Sequence, residues 1–121
     1  MSKLRHADVV LEVACRSKER PRFHGHAYHS KEYKAWLRQT RALMSEWWID
    51  QPLAKVKVLC AHFYGPARGD VDNKLGAVLD AGTGVIWQDD NVNVVNCTTT
   101  RWTKAGTKEQ RIHLKVIWTE P

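Results

Sequence analysis

The 121-residue sequence predicts a single α+β domain, a mixed β-sheet with two helices. Three observations lead there. Segments rich in β-branched residues and segments of helical periodicity both occur, but they do not strictly alternate as they would in an α/β chain. The length is that of one ordinary domain, long enough to bury a core. No repeat, low-complexity tract or linker interrupts the chain, so residues 1–121 read as one unit.

Val9 to Cys15 is rich in β-branched residues and reads as the first strand. A basic stretch follows (Arg16, Lys18, Arg20, Arg22), then Phe23 to Tyr28, which reads as a turn or short hairpin around Gly25. Ser30 is a good N-cap for the clearest helix, with Glu32 in its first turn. Tyr33, Trp36, Thr40, Leu43 and Trp47 recur at helical spacing and define its apolar face, and the helix is expected to end near Trp48, before Pro52. Lys55 to Tyr64 alternates as a half-buried strand and is broken by Pro66 and Gly69. Asp72 or Asn73 is placed to cap a second, short helix that turns Leu75, Val78 and Leu79 inward and stops at Gly82 and Gly84. Val92 to Trp102 and Gln110 to Thr119 read as two strands joined through Lys104–Thr107 in a C-terminal hairpin.

The formal net charge is +6, which favours polyanionic partners, nucleic acid before acidic membrane surfaces. Cys15, Cys60 and Cys97 are odd in number and widely spaced, which suits reduced thiols in a cytoplasmic protein better than a disulfide framework or a zinc knuckle. No signal peptide is expected at the N-terminus, and no run reaches the ~20 apolar residues of a membrane span. No nucleophile triad and no phosphate-binding glycine loop stands out.

The informative segment is Gly69-Asp70-Val71-Asp72-Asn73-Lys74, followed by Gln88-Asp89-Asp90. Five acidic residues (Asp70, Asp72, Asp80, Asp89, Asp90) lie between positions 70 and 90, opposed there only by Lys74, in a chain that is otherwise basic. Like charges gathered together repel unless a cation neutralises them. If the backbone ahead of the helix is extended, Asp70 and Asp72 point the same way. Asp89 or Asp90 is then placed to complete a hard-oxygen site for Mg²⁺, or for Mn²⁺ in its stead. The same Asp-x-Asp-Asn pattern also serves ordinary turn and N-cap chemistry.

In order along the chain, Asp70-Val71-Asp72-Asn73, Leu79-Asp80-Ala81 and Trp87-Gln88-Asp89-Asp90-Asn91-Val92 resemble the RusA family of Holliday-junction resolvases. Arg20-Pro21-Arg22-Phe23 resembles the basic segment ahead of that family's first helix, and the chain length also agrees. The resemblance implies an α+β homodimer that resolves four-way DNA junctions by paired Mg²⁺-dependent cuts, in DNA recombination or repair. It implies Asp70, Asp72 and Asp90 as catalytic carboxylates meeting around one ion, with Asp89 as a further candidate ligand, and Arg68 as a DNA contact. No membrane and no small-molecule cofactor are implied, and a phage, prophage or bacterial gene is the expected source.

Three positions depart from the family pattern. Gly76 stands where the family has a catalytic lysine, and Lys74, the candidate replacement, lies about 200° away if the segment is already helical. Asn93 stands where a glutamine is usual, and the connection from Asp80 to Asp89 is one residue short. These leave open a catalytically weakened protein that binds branched or single-stranded DNA, and a nuclease of flaps or forks.

Arg20, Arg22, Lys31, Lys34, Arg38, Arg68, Arg101 and Lys104 are the candidate DNA contacts. The Lys31, Lys34, Arg38, Arg41 stripe fits a DNA arm or a solvated helix face. His24, His26 and His29 fit loop histidines or phosphate donors better than a zinc site, because no cysteine or carboxylate lies near enough in sequence to complete a tetrahedron. Trp36 and Trp47 are expected in the core. Trp48, Trp87, Trp102 and Trp118 are expected in the core or an interface, or stacked on unpaired bases.

Overall fold

The computed structural model describes residues 3–19, 22–23 and 27–120. In chain order the elements are β1 (Lys3–Leu11), β2 (Arg22–Phe23), β3 (Ala27–Tyr28), α1 (Lys31–Trp47), β4 (Val58–Gly65), α2 (Val71–Gly82), β5 (Thr98–Lys104) and β6 (Arg111–Glu120), with one 3₁₀ turn at Thr107–Glu109. Four strands form a mixed sheet in the order β1-β6-β4-β5, and β2 and β3 pair as a small antiparallel ribbon. This is the α+β architecture with two helices that the sequence predicts.

The sheet's register explains its burial. Val9, Leu114 and Ala61 lie in one cross-strand row, and Leu11, Ile112 and Phe63 in another. Because side chains alternate across a strand, these rows share a face. That face is buried with Tyr33, Trp36 and Met44 of α1 and Ala77, Val78 and Ala81 of α2. The other face is left uncovered and carries His6, Asp8, His62, His113 and Lys115.

The sequence reading needs correction at three points. The C-terminal hairpin does not form, because β4 lies between β5 and β6. β5 runs parallel to β4, a pairing that needs a crossover, and α2 supplies it. Strand β5 begins only at Thr98, because the backbone of Asn91–Val95 is curled into a turn in which Val94 and Val95 both donate to Asn91 O. Strand β1 ends at Leu11, short of Cys15.

Helix α1 starts and stops as its sequence predicts. Ser30 Oγ accepts from Tyr33 N at 3.2 Å, and Ser30 in turn donates to both oxygens of Glu19 at 2.6 Å, which ties the segment after β1 to the helix start. No helix among the described residues is long and apolar enough to cross a membrane.

Trp36 and Trp87 are buried, and Trp48 packs edge-on against Trp118. Trp47 is half-buried against the core, whereas Trp102 is 38% exposed.

Candidate functional site

Helix α2 begins two or three residues earlier than the expected caps, Asp72 or Asn73, suggest. Asp70 is the N-cap, with extended backbone (φ −97°, ψ 143°), but Asp72 already lies in the first helical turn, so the extended-chain alternation expected to point the two the same way does not apply. An N-cap aspartate ordinarily accepts a backbone N–H from within the first turn. The Asp70 side chain makes no such bond. Asp70 and Asp72 are both exposed, and neither has an ion-pair or side-chain hydrogen-bond partner among the described residues.

The other three acidic residues of the cluster are held differently. Asp80 accepts from Tyr33 Oη at 3.0 Å and from Lys18 Nζ at 3.2 Å. Burial first, and then the Asp80 carboxylate, push the Tyr33 phenol far above its usual range. Asp89 accepts from Asp90 N at 2.7 Å and from Asn91 Nδ2 at 3.0 Å, so both its oxygens shape the loop. The Asp90 carboxylate has no such partner and is exposed. Of the neighbouring pair, Asp90 is therefore the one free to bind.

The three free carboxylates do not converge within one chain. Trp87 donates Nε1 to Leu79 O at 3.1 Å, and its backbone is bonded to Gly82 and Gly84. Asp90, three residues on, thus departs from the C-terminal end of α2, whereas Asp70 and Asp72 stand at the N-terminal end. The 12-residue helix between those two ends is about 18 Å long at ~1.5 Å per residue. Among the described residues no three His, Cys, Asp or Glu side chains are grouped to hold a metal ion.

Lys74 is helical and buried, 5% exposed, and its Nζ donates to Cys15 O at 2.8 Å. It does not take the position of residue 76. That space is taken by the stem of Lys18, whose Cδ would lie 3.2 Å from a Cβ built on Gly76. The Lys18 ammonium is itself committed to Asp80. The Cys15 thiol donates to Tyr64 O at 3.2 Å, and burial pushes it up from its ordinary value.

A cleft of about 270 Å³ adjoins Asp70, lined by Ala67, Arg68, Gly69, Val71, Lys74 and Trp102. Arg68 is exposed at this end of α2. Residues of one parity on β5 face the helices and those of the other parity face away, so Lys104 shares the side of Trp102 while Arg101 lies on the uncovered face near His62. There burial, followed by Arg101, His113 and Arg111, lowers the His62 pKa. Lys31, Lys34 and Arg38 are exposed along α1. Arg41, the last of that stripe, donates to Asp80 O at 2.9 Å and Ala81 O at 3.3 Å, and so closes the C-terminus of α2.

Arg22 lies in β2, paired with Tyr28. Arg20, His24 and His26 fall outside the described residues. His29 packs its ring 5.0 Å from that of Tyr33. The roles of Lys18 and Arg41 escaped sequence reading because their partners lie 62 and 39 residues away, and no local pattern announces such a contact.

A family model for the endodeoxyribonuclease RusA matches residues 12–117. The match covers nearly the whole chain, and the chain belongs to the RusA endodeoxyribonuclease family. Its class is thus that of a nuclease cutting within DNA strands. No curated protein sequence matches the chain.

Proposed function

We propose that this protein is a Mg²⁺-dependent endonuclease that resolves four-way DNA junctions as a homodimer. One observation carries the reading. In a chain of net charge +6 from an endodeoxyribonuclease family, two aspartates at one helix start are left exposed and unpaired, although the fold finds partners for Asp80 and Asp89.

Asp70 and Asp72 fit the hard-oxygen demand of Mg²⁺, which is commonly held by one or two carboxylates together with substrate phosphate oxygens. When bound, such an ion supplies an activated water and neutralises charge on the phosphodiester. Asp90 does not join them within one protomer, so the reading rests on Asp70 and Asp72; the homodimer is proposed because paired cuts in opposed strands need two such sites. Arg68 and Lys74 place positive charge at the same helix end, to hold phosphate while the carboxylates bind the ion. Lys31, Lys34, Arg38 and Lys104 extend that attraction along the DNA arms, and Arg101 adds to it from the opposite face of the sheet.

The test is a synthetic four-way junction incubated with the protein. Symmetrically paired nicks are expected in Mg²⁺ and none in EDTA. Cutting that persists in EDTA contradicts the metal assignment, and an intact junction in both Mg²⁺ and Mn²⁺ contradicts the nuclease.

A second reading draws on Gly76. With the Lys18 stem over that position and its ammonium bound to Asp80, no lysine reaches the site from there. A binding protein with weakened catalysis would hold the junction in EDTA yet leave it uncut in Mg²⁺, and Gly76→Lys would raise its cleavage.

A further inference from the structure

The cleft beside Asp70 holds a buried cation, Lys74, that has no anion among the described residues. Lys74 carries three N–H donors, and Cys15 O accepts one of them. No carboxylate lies within ion-pairing distance of it among the described residues. Burying an ammonium without an anionic partner is costly, so the fold retains this one only where something offsets the desolvation. The wall next to it is open because residue 69 is glycine. Gly69 has φ +73°, and a Cβ built there would lie 3.7 Å from Lys74 Nζ and only 2.7 Å from Ser17 Oγ. The start of α2 adds its partial positive charge on the same side.

The rest of the lining is apolar and aromatic. Trp102 donates Nε1 to Gly65 O at 3.2 Å, which fixes its ring on edge strand β5, yet it stays 38% exposed. Ala67 and Val71 complete the apolar wall, and Arg68 stands in the lining as a second cation. At about 270 Å³ the cleft lies just under the ~300 Å³ at which ligand pockets begin.

The geometry points to a receptor for one unpaired nucleotide of the DNA, its base stacked on Trp102 and its phosphate held by Lys74 and Arg68. The inference rests on the branched-DNA reading above and makes it more specific, because a base is free to enter such a cleft only where pairing is interrupted. A base captured next to Asp70 fixes which phosphodiester is presented to the free carboxylates. Stacking on an aromatic side chain tolerates any base, so the cleft would recognise the branch rather than a sequence.

The test uses junction DNA carrying 2-aminopurine at the branch point, bound by the full chain in EDTA so that no cutting intervenes. Wild type is expected to quench the probe at the branch point and to leave it unchanged when it is paired within an arm. Trp102→Ala is expected to abolish the quench and to weaken junction binding by about tenfold or more. Trp102→Phe, which keeps an aromatic face, is expected to restore most of the binding. Arg68→Ala should weaken binding to all junctions alike and flatten its salt dependence by about one phosphate contact. Equal quenching by wild type and a folded Trp102→Ala, or equal quenching at paired and branch positions, overturns the receptor. Because the readout is taken without metal, a wild type that quenches but never cuts would count against the nuclease alone. A cutting enzyme whose quench ignores Trp102 would count against the receptor alone.

Discussion

The two ends of helix α2 are built in opposite ways. At its C-terminus the carboxylate and several of the last carbonyls are matched. Asp80 is held by Tyr33 and Lys18, Arg41 takes the carbonyls of Asp80 and Ala81, and Thr83 Oγ donates to Leu79 O at 2.8 Å. The Trp87 indole lies so close over Gly82 that any side chain there would overlap its ring. At the N-terminus the capping aspartate makes no side-chain cap bond, and among the described residues Asp72 is unpaired and the buried Lys74 ammonium has no anion. Both ends carry aspartates. Where the carboxylate is satisfied it holds α2 against α1, and where it is left free it is available to something outside the fold. The N-terminal end forgoes about 1 kcal/mol of capping to stay that way.

The contrast can be broken from the satisfied end first. Gly82→Ala drives a methyl group into the buried Trp87 ring, and overpacking of this kind costs about 3 kcal/mol when neither side can retreat. Thermal melting should fall by about 10 °C or more. A melt unchanged within a degree would show that the Trp87 packing is not as tight as described.

Asp80→Ala should have the next largest effect. It leaves the buried Tyr33 hydroxyl without an acceptor, a loss of about 1–3 kcal/mol. Adding Tyr33→Phe to that variant removes the orphaned group, so denaturant unfolding of the double mutant should show less loss than the two single changes added together. Strict additivity would mean that Asp80 and Tyr33 do not act as a pair.

The sequence was informative where physics is local. Ser30 as cap and the apolar spacing of α1 depend on neighbours within a few residues, and the structure bears them out. The strand at β4 was legible too, but it starts at Val58 and buries Leu59, Ala61 and Phe63 rather than the alternating set Val58, Cys60 and His62. The RusA family was legible in the ordered aspartate segments, and the match over residues 12–117 agrees. What failed depends on distant pairing. Residues 98–104 and 111–120 look like adjacent strands with a turn between them, but nothing in either segment shows that β4 will insert between the two. The aspartates were legible as a cluster but not as individuals. Asp80 and Asp70 look alike in sequence, and only the approach of Tyr33, Lys18 and Arg41 from elsewhere in the chain separates the bonded carboxylate from the free one. Lys74 was expected beside the carboxylates, but because the helix has already begun at Val71 it turns under Gly69 and reaches Cys15.

On the proposed function, the free carboxylates at the start of α2 carry chemistry and not stability, and Asp70→Asn separates the two. The substitution keeps the size of a side chain that makes no cap bond and removes its charge. Holding a catalytic ion is worth several kcal/mol of transition-state stabilisation, so four-way junction cleavage in Mg²⁺ should fall by about 100-fold or more at ~1.4 kcal/mol per decade. The melting temperature of the same sample should match wild type. Cleavage at the wild-type rate by a folded Asp70→Asn protein would contradict the account.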